Sequence, residues 1–307
     1  MRTRLQIAMD HAAVLPGLLG GERVRFFRDA TDGPPWSQQL DIPVPPLPMM
    51  HLGVPTEVPV TTVVGPLRVG VLVARDPGGQ GPVVITHHGN NERAFDLGGR
   101  AKNYLNRALL GDPTAPDATV IVLRAAHHDG PLRDYTRIAG DLARWMAMLA
   151  ASTATIASLV TRHGTESARP TLVTGFSLGG WVANLHRAFH GTAGLYLPML
   201  AGAHLGRQLF DSSYRVMVSR AARADADRVR PLLDFGTEFR AATAPVAPLL
   251  ARHDRFARPQ DQLEDYAHGP VEFLETGHVG AALAGPLLRN HVLRHLGGLQ
   301  DAARQGT

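Results

Sequence analysis

A serine hydroxyl is a weak nucleophile until a neighbouring base takes its proton. One serine in this sequence stands in a setting suited to that chemistry. Ser177 lies in the run Gly175-Phe176-Ser177-Leu178-Gly179-Gly180. Before it, Thr171-Leu172-Val173-Thr174 reads as a short buried strand; after it, Leu178, Trp181, Val182 and Leu185 recur at helical spacing. A serine between such elements occupies a tight corner. The corner exposes Oγ, requires small residues two before and two after it (Gly175 and Gly179), and aims the first N–H groups of the helix at a developing negative charge. Gly-x-Ser-x-Gly arises by chance in glycine-rich chains, and the strand and helix around this one are what distinguish it.

The run "GFSLGG" resembles the nucleophile elbow of the α/β-hydrolase superfamily, which includes serine esterases and lipases. The resemblance extends from about Thr56 to Leu296. It implies the chain order nucleophile, acid, histidine, with the last two on loops after late strands. Asp254, in "LLARHDRF", and His278, in "FLETGHVGA", fall where that order asks. In this assignment His278 takes the Ser177 proton and returns it to the leaving group, while Asp254 holds the imidazole tautomer and stabilises its charged form. Taken singly, the aspartate reads as a turn or cap residue and the histidine as a helix cap. Asp211 and Asp234 are rival acids, and His268 is a rival histidine that precedes its strand. Of the two oxyanion donors required, one is the N–H of Leu178. The second is expected in the loop after "PVVIT", where "HHGNN" resembles the superfamily's His-Gly segment and places Asn90 after the glycine. Many relatives carry an apolar or aromatic residue there. The polar pair Asn90-Asn91 is a departure that reads either as a side-chain amide in the site or as an Asx-type turn.

The activity implied is hydrolysis of carboxylic esters through an acyl-enzyme, with no cofactor and with a small-molecule ester or related acyl compound as partner. Thioester hydrolysis and acyl transfer need the same apparatus. A serine in the elbow argues against the dehalogenase and epoxide-hydrolase branches, whose nucleophile is a carboxylate. Two further classes are open. His87-His88 and His127-His128-Asp129 follow strands expected to be neighbours, and with His204 or His253 they form a candidate divalent-metal set for a metal-dependent hydrolase. Against that, adjacent side chains diverge, so each pair offers about one ligand. A hydrolase-like binding protein would have lost nucleophile, base or acid, and candidates for all three are present.

The elements that must position these groups follow from pattern. Short apolar strands at 82–89, 118–130, 171–174, 194–200, 244–251 and 270–275 alternate with helical stretches near 98–110, 133–162, 178–186 and 281–296. The expected fold is α/β: a mostly parallel sheet covered by helices on both faces. "TEVPVTTVVGPLRVGVLVARD" supplies an antiparallel edge hairpin around Gly65-Pro66. Residues 1–55 read as an N-terminal amphipathic helix followed by a proline-rich arm over 33–59, and residues 56–307 as the catalytic domain with 203–243 as a small helical cap. The 307 residues are 44% apolar and 19% charged, which fits one large globular domain.

The absence of cysteine excludes disulfides and thiolate metal sites and leans toward a reducing compartment, giving a cytoplasmic expectation. The net charge is +4, carried almost wholly by scattered arginines, Lys102 being the sole lysine. An aromatic-interleaved basic patch is missing, which argues against nucleic acid as a partner. Asp10 and His11 interrupt what would be the apolar core of a signal peptide, and no apolar run approaches the ~20 residues of a membrane span. Oligomeric state is not legible.

Overall fold

The alternation of β-branched runs with helical runs resolves into one sheet in a computed structural model that describes residues 2–79, 81–98, 102–111, 117–267 and 269–305. The strands are β1 (Thr56–Thr62), β2 (Gly65–Arg75), β3 (Val83–His87), β4 (Thr119–Arg124), β5 (Thr171–Phe176), β6 (Leu195–Met199), β7 (Leu249–Ala251) and β8 (Glu272–Leu274). Their order across the sheet is β1-β2-β4-β3-β5-β6-β7-β8. β2 runs antiparallel to both of its neighbours and the remaining pairs are parallel. Every residue of β3 and β5 is buried, as expected of central parallel strands covered on both faces. β1, at the edge, alternates instead, with Val58, Val60 and Thr62 turned inward. The register sets His87 beside both Leu123 and Gly175, so the loops after β3 and β5 emerge side by side at the carboxyl edge.

The helices are α1 (Arg2–Leu19), α2 (Trp36–Gln39), α3 (Tyr104–Leu110), α4 (Leu132–Ala139), α5 (Leu142–Val160), α6 (Leu178–Phe189), α7 (Leu205–Asp211), α8 (Arg220–Ala224), α9 (Ala226–Leu233), α10 (Gly236–Ala241), α11 (Pro259–Gln262), α12 (His278–Ala282) and α13 (Gly285–Gln305). Helices α5 and α6 cover one face of the sheet over a core that includes Trp145, Leu149, Trp181 and Leu185. Helices α3 and α13 cover the other, over Leu105, Leu109, Leu288 and Val292. Helix α5 is apolar nearly all round because nearly all of it is inside. Leu142–Thr165 is the helix among the described residues long and apolar enough to cross a membrane, and 89% of its most apolar window is buried within the protein.

Several elements differ from the pattern reading. The helix expected over 133–162 is two helices. Asp141 is extended (φ −118°, ψ 122°) and its carboxylate accepts from Arg144 N at 3.0 Å, starting α5 afresh. The N-terminal segment fills the break: Leu142 N donates to Ala30 O at 3.1 Å, and Phe27 N to Ala139 O at 2.8 Å. The strand expected over 244–251 contracts to β7, because Pro245 and Pro248 donate no ladder hydrogen bonds. The closing helix expected over 281–296 begins only at Gly285, after the separate turn of α12, and runs to Gln305. The proline-rich stretch is extended apart from α2, where Trp36 is 2% exposed and its indole donates to Leu233 O at 2.9 Å. Residues 203–243 contain α7 to α10.

Candidate active site

Ser177 links β5 directly to α6 with φ 54° and ψ −110°, a backbone region that costs a non-glycine residue roughly 1–3 kcal/mol. Its amide donates to Met199 O at 2.9 Å, which pins the corner to β6. The neighbouring glycines answer a need for space. A Cβ on Gly175 would lie 2.3 Å from the Gly179 backbone, and one on Gly179 would lie 2.2 Å from His87 O. Strand, helix and the end of β3 are therefore in backbone contact around the serine.

His278 opens α12, just past β8, and Asp254 follows β7. His278 Nε2 lies 2.9 Å from Ser177 Oγ, and His278 Nδ1 lies 2.7 Å from Asp254 Oδ2. The other Asp254 oxygen accepts from Phe256 N at 2.7 Å, so both carboxylate oxygens are fixed. A carboxylate on Nδ1 keeps the proton on that nitrogen and presents a lone pair to the serine. Burial by itself would lower the His278 pKa. The charge and hydrogen bond of Asp254, with a further contribution from the charge of Asp10, outweigh burial and hold it above the ordinary imidazole value.

A cavity of about 890 Å³ opens over this relay. Ser177, His278, Phe176 and Phe256 line it from the sheet side, Val14 from α1, and Tyr214 from the 203–243 segment. Aromatic and aliphatic side chains share its wall with polar and charged ones, among them Asn90, Glu92, Asp96 and His128.

No protein-family model and no curated protein matches the sequence. Solved structures do match by shape. The acylaminoacyl peptidase of Pyrococcus horikoshii is similar over 78% of this chain, with TM-score 0.54 and 11% identity; the chain spans 40% of the peptidase's length. An acetyl xylan esterase from Paenibacillus sp. R4 is similar over 80% of this chain and 83% of its own, with TM-score 0.54 and 16% identity. Acetyl xylan esterase 1 from Thermoanaerobacterium sp. JW/SL YS485 is similar over 88% of this chain and 98% of its own, with TM-score 0.54 and 15% identity. The chain has the α/β-hydrolase fold.

Within that fold, the loop after β3 is tightly organised beside the elbow. Asn90 lines the cavity, and its Nδ2 donates to Tyr214 Oη at 3.1 Å. The polar residue at this position thus ties the loop to the 203–243 segment, while Asn91 takes the positive φ of 59° that turns the chain. Glu92, 4% exposed, closes the loop by accepting from Gly89 N at 2.9 Å. Burial pushes the Glu92 carboxyl up to about 7 despite the backbone donors that favour its ionised form. Leu178 is the first residue of α6, so its N–H has no acceptor within the helix.

The doubled histidines do not gather as a metal set. Burial lowers His87 and His128 to about 4 and holds His88 well below the usual imidazole range. Both nitrogens of the first two rings are used by the protein. His87 bonds His88 O (3.0 Å) and Ser152 Oγ (3.1 Å); His88 bonds Gly89 O (2.6 Å) and accepts from Ala125 N (3.0 Å). His128 bonds Ala126 O at 3.2 Å, and Asp129 lies 3.6 Å from Arg124. Among the described residues, the His and acid groups that converge are His204-Glu264-Asp265 and Glu272-His291-His295. His253 faces Glu275 at 3.9 Å. The rival acids also have other partners: Asp211 meets Arg230 at 2.5 Å, and Asp234 accepts from Gly206 N at 2.6 Å. His268 lies outside the described residues.

One group at the site carries no local sequence signature. The Asp10 carboxylate, fully buried, accepts from Arg255 N (3.0 Å), His278 N (3.0 Å) and Val279 N (2.9 Å). Gln6 Oε1, one turn earlier in α1, accepts from Gly277 N at 3.0 Å. The N-terminal helix therefore holds the loops that carry both Asp254 and His278. Gln6, Asp10 and Val14 lie along one stripe of α1, but that spacing alone does not mark the carboxylate as buried.

Proposed function

We propose that the protein is a serine hydrolase that cleaves carboxylic esters through an acyl-enzyme. The supporting observation is the unbroken relay from Ser177 Oγ through His278 to Asp254 at 2.9 and 2.7 Å, placed in the wall of a cavity. Ser177 Oγ attacks the ester carbonyl carbon while His278 Nε2 takes its proton. The N–H groups of Leu178 and Asn90 receive the oxyanion. The C–O bond breaks, His278 gives the proton to the departing alcohol, and Ser177 is left acylated. Water, deprotonated by His278, then attacks the acyl carbon, and the acid leaves as Ser177 recovers its proton. Asp254 stabilises the imidazolium that forms in each half of the cycle. The raised His278 pKa means that the neutral, base-competent form is lost at acidic pH earlier than for an ordinary imidazole.

The cavity points to the substrate class. Its volume of about 890 Å³ and its aromatic wall of Phe176, Tyr214 and Phe256 accommodate an acyl or alcohol portion well beyond acetyl. The test is a series of nitrophenyl esters from acetyl to long acyl chains, run on wild type and Ser177→Ala. Turnover is expected to peak above acetyl in the wild type and to fall by about 10³-fold or more in a folded variant. Equal rates in the two proteins would refute the mechanism. A fluorophosphonate is expected to label Ser177 in the wild type.

A further inference from the structure

We propose that Glu272, His291 and His295 bind a divalent transition-metal ion of the zinc type, fastening helix α13 to strand β8. His291 and His295 are one turn apart on α13, so both rings lie on the face that packs against the sheet edge. Glu272 begins β8, at the end of that strand remote from His278. His291 Nδ1 lies 3.3 Å from Glu272 Oε2, His295 Nε2 lies 3.2 Å from Glu272 Oε1, and the ligand atoms fall within 4.8 Å of one another. Ligands about 2.1 Å from a tetrahedral ion stand about 3.4 Å apart, so the spacing suits such an ion.

The decisive feature is His291. The ring is 1% exposed, and its Nε2 lies 3.2 Å from the Ala247 carbonyl oxygen. A carbonyl can only accept, so Nε2 carries a proton and Nδ1 is the nitrogen left to meet Glu272. Nδ1 is buried 3.3 Å from a Glu272 carboxylate oxygen, so a cation joins the two, either a second proton on the ring or a metal ion in its place. A backbone carbonyl on the far nitrogen is also the support that metal-bound imidazoles commonly have. His295 donates to Glu272 at present and becomes a ligand by moving its proton to Nδ1. Arg294 also reaches Glu272 Oε1, at 2.9 Å, from a side chain 61% exposed, and a metal ion would have to displace it. At the other converging cluster, His204-Glu264-Asp265, two guanidinium groups, Arg207 and Arg240, pair with the carboxylates, against one at Glu272.

The experiment is zinc chloride titrated into chelator-stripped, dialysed full-length protein by calorimetry, with melting curves alongside. One equivalent is expected to bind, and the melting temperature to rise by about 4 °C at a hundredfold excess over Kd. Glu272→Gln and His295→Ala, both at partly exposed positions, are expected to weaken binding by about 100-fold or more and to lose the zinc-dependent rise in melting temperature. Arg294→Ala is expected to bind zinc more tightly, since a competing cation has gone. Absence of stoichiometric binding overturns the proposal. So do wild-type affinity in the Glu272 and His295 variants, or loss of the site in His204→Gln in their place.

Discussion

Replacing Asp10 by asparagine tests whether the N-terminal helix belongs to the catalytic machinery. Asp10 Oδ2 accepts from Arg255 N and His278 N, and Oδ1 accepts from Val279 N, at 2.9–3.0 Å in full burial. Asparagine keeps the shape but offers one acceptor oxygen. With that oxygen in the Oδ2 position, the new NH₂ group confronts the Val279 N–H, donor against donor. One charge-assisted bond is lost and the other two become neutral, a loss of about 3 kcal/mol where a bond to a charged group contributes roughly 1.5–3 kcal/mol. Part of this loosens the attachment of the His278 loop, and kcat/KM for a nitrophenyl ester is expected to fall about 10–100-fold.

The pH profile separates this role from simple destabilisation. The proposed mechanism requires neutral His278, so kcat/KM is expected to rise as pH rises through its pKa. The Asp10 charge is one of the groups holding that pKa up, and removing it moves the acid limb to lower pH. Gln6→Ala, which loses only the Gly277 bond, is expected to give a smaller rate loss and an unmoved limb. An Asp10→Asn enzyme with unchanged kcat/KM and an unmoved acid limb would refute the reasoning.

Two other expectations rest on single residues. Ser177→Gly and Ser177→Ala should both be inactive, yet glycine relieves the positive-φ strain and should unfold at a urea concentration no lower than alanine does, although it loses more chain entropy on folding; a clearly less stable glycine variant would show the strain to be absent. Glu92, raised from 4.5 to about 7, binds its proton more tightly folded than unfolded, so its stabilising contribution is complete below about pH 4.5 and is lost as pH rises toward 7. Because glutamine does not titrate, the stability of Glu92→Gln relative to wild type should increase by about 3 kcal/mol between pH 4.5 and 7.5 in urea unfolding, and a pH-independent difference would count against the shift.

What the sequence discloses and what it hides divide along physical lines. The central strands are legible because burial on both faces leaves continuous apolar runs such as Val83-Val84-Ile85 and Val120-Ile121-Val122. The corner at Ser177 is legible because backbone contact forces glycine at 175 and 179. Asp254 and His278 can be placed near it because each directly follows a strand, and parallel strands deliver their carboxyl ends to one edge. The break between α4 and α5 is hidden because hydrophobic periodicity runs across it; what opens it is a contact with Ala30, more than a hundred residues away. Paired histidines look like ligands in a sequence, which cannot show whether backbone carbonyls already hold their nitrogens, as they do at His87 and His88. Asp10 is hidden for the same reason as Ala30: its partners lie some 250 residues later, and a buried carboxylate on a helix has no local signature.

The N-terminal segment gives the cavity wall and the loops around Ser177 one continuous support. Past Asp10, it runs along the 213–220 stretch: His11 bonds Ser213 Oγ at 3.2 Å, Phe26 N donates to Met217 O at 2.8 Å, and Ser219 N donates to Phe26 O at 3.0 Å. That stretch carries Tyr214, which holds Asn90 beside the elbow and forms part of the cavity wall. The cavity wall, the loop of Asn90 and the loops of Asp254 and His278 thus share one scaffold. Under the proposed mechanism, a change in α1 that loosens the loops of Asp254 and His278 also shifts the cavity wall that would meet the acyl chain. Acyl-chain preference and turnover should therefore vary together across α1 variants, whereas independent walls would let them vary separately.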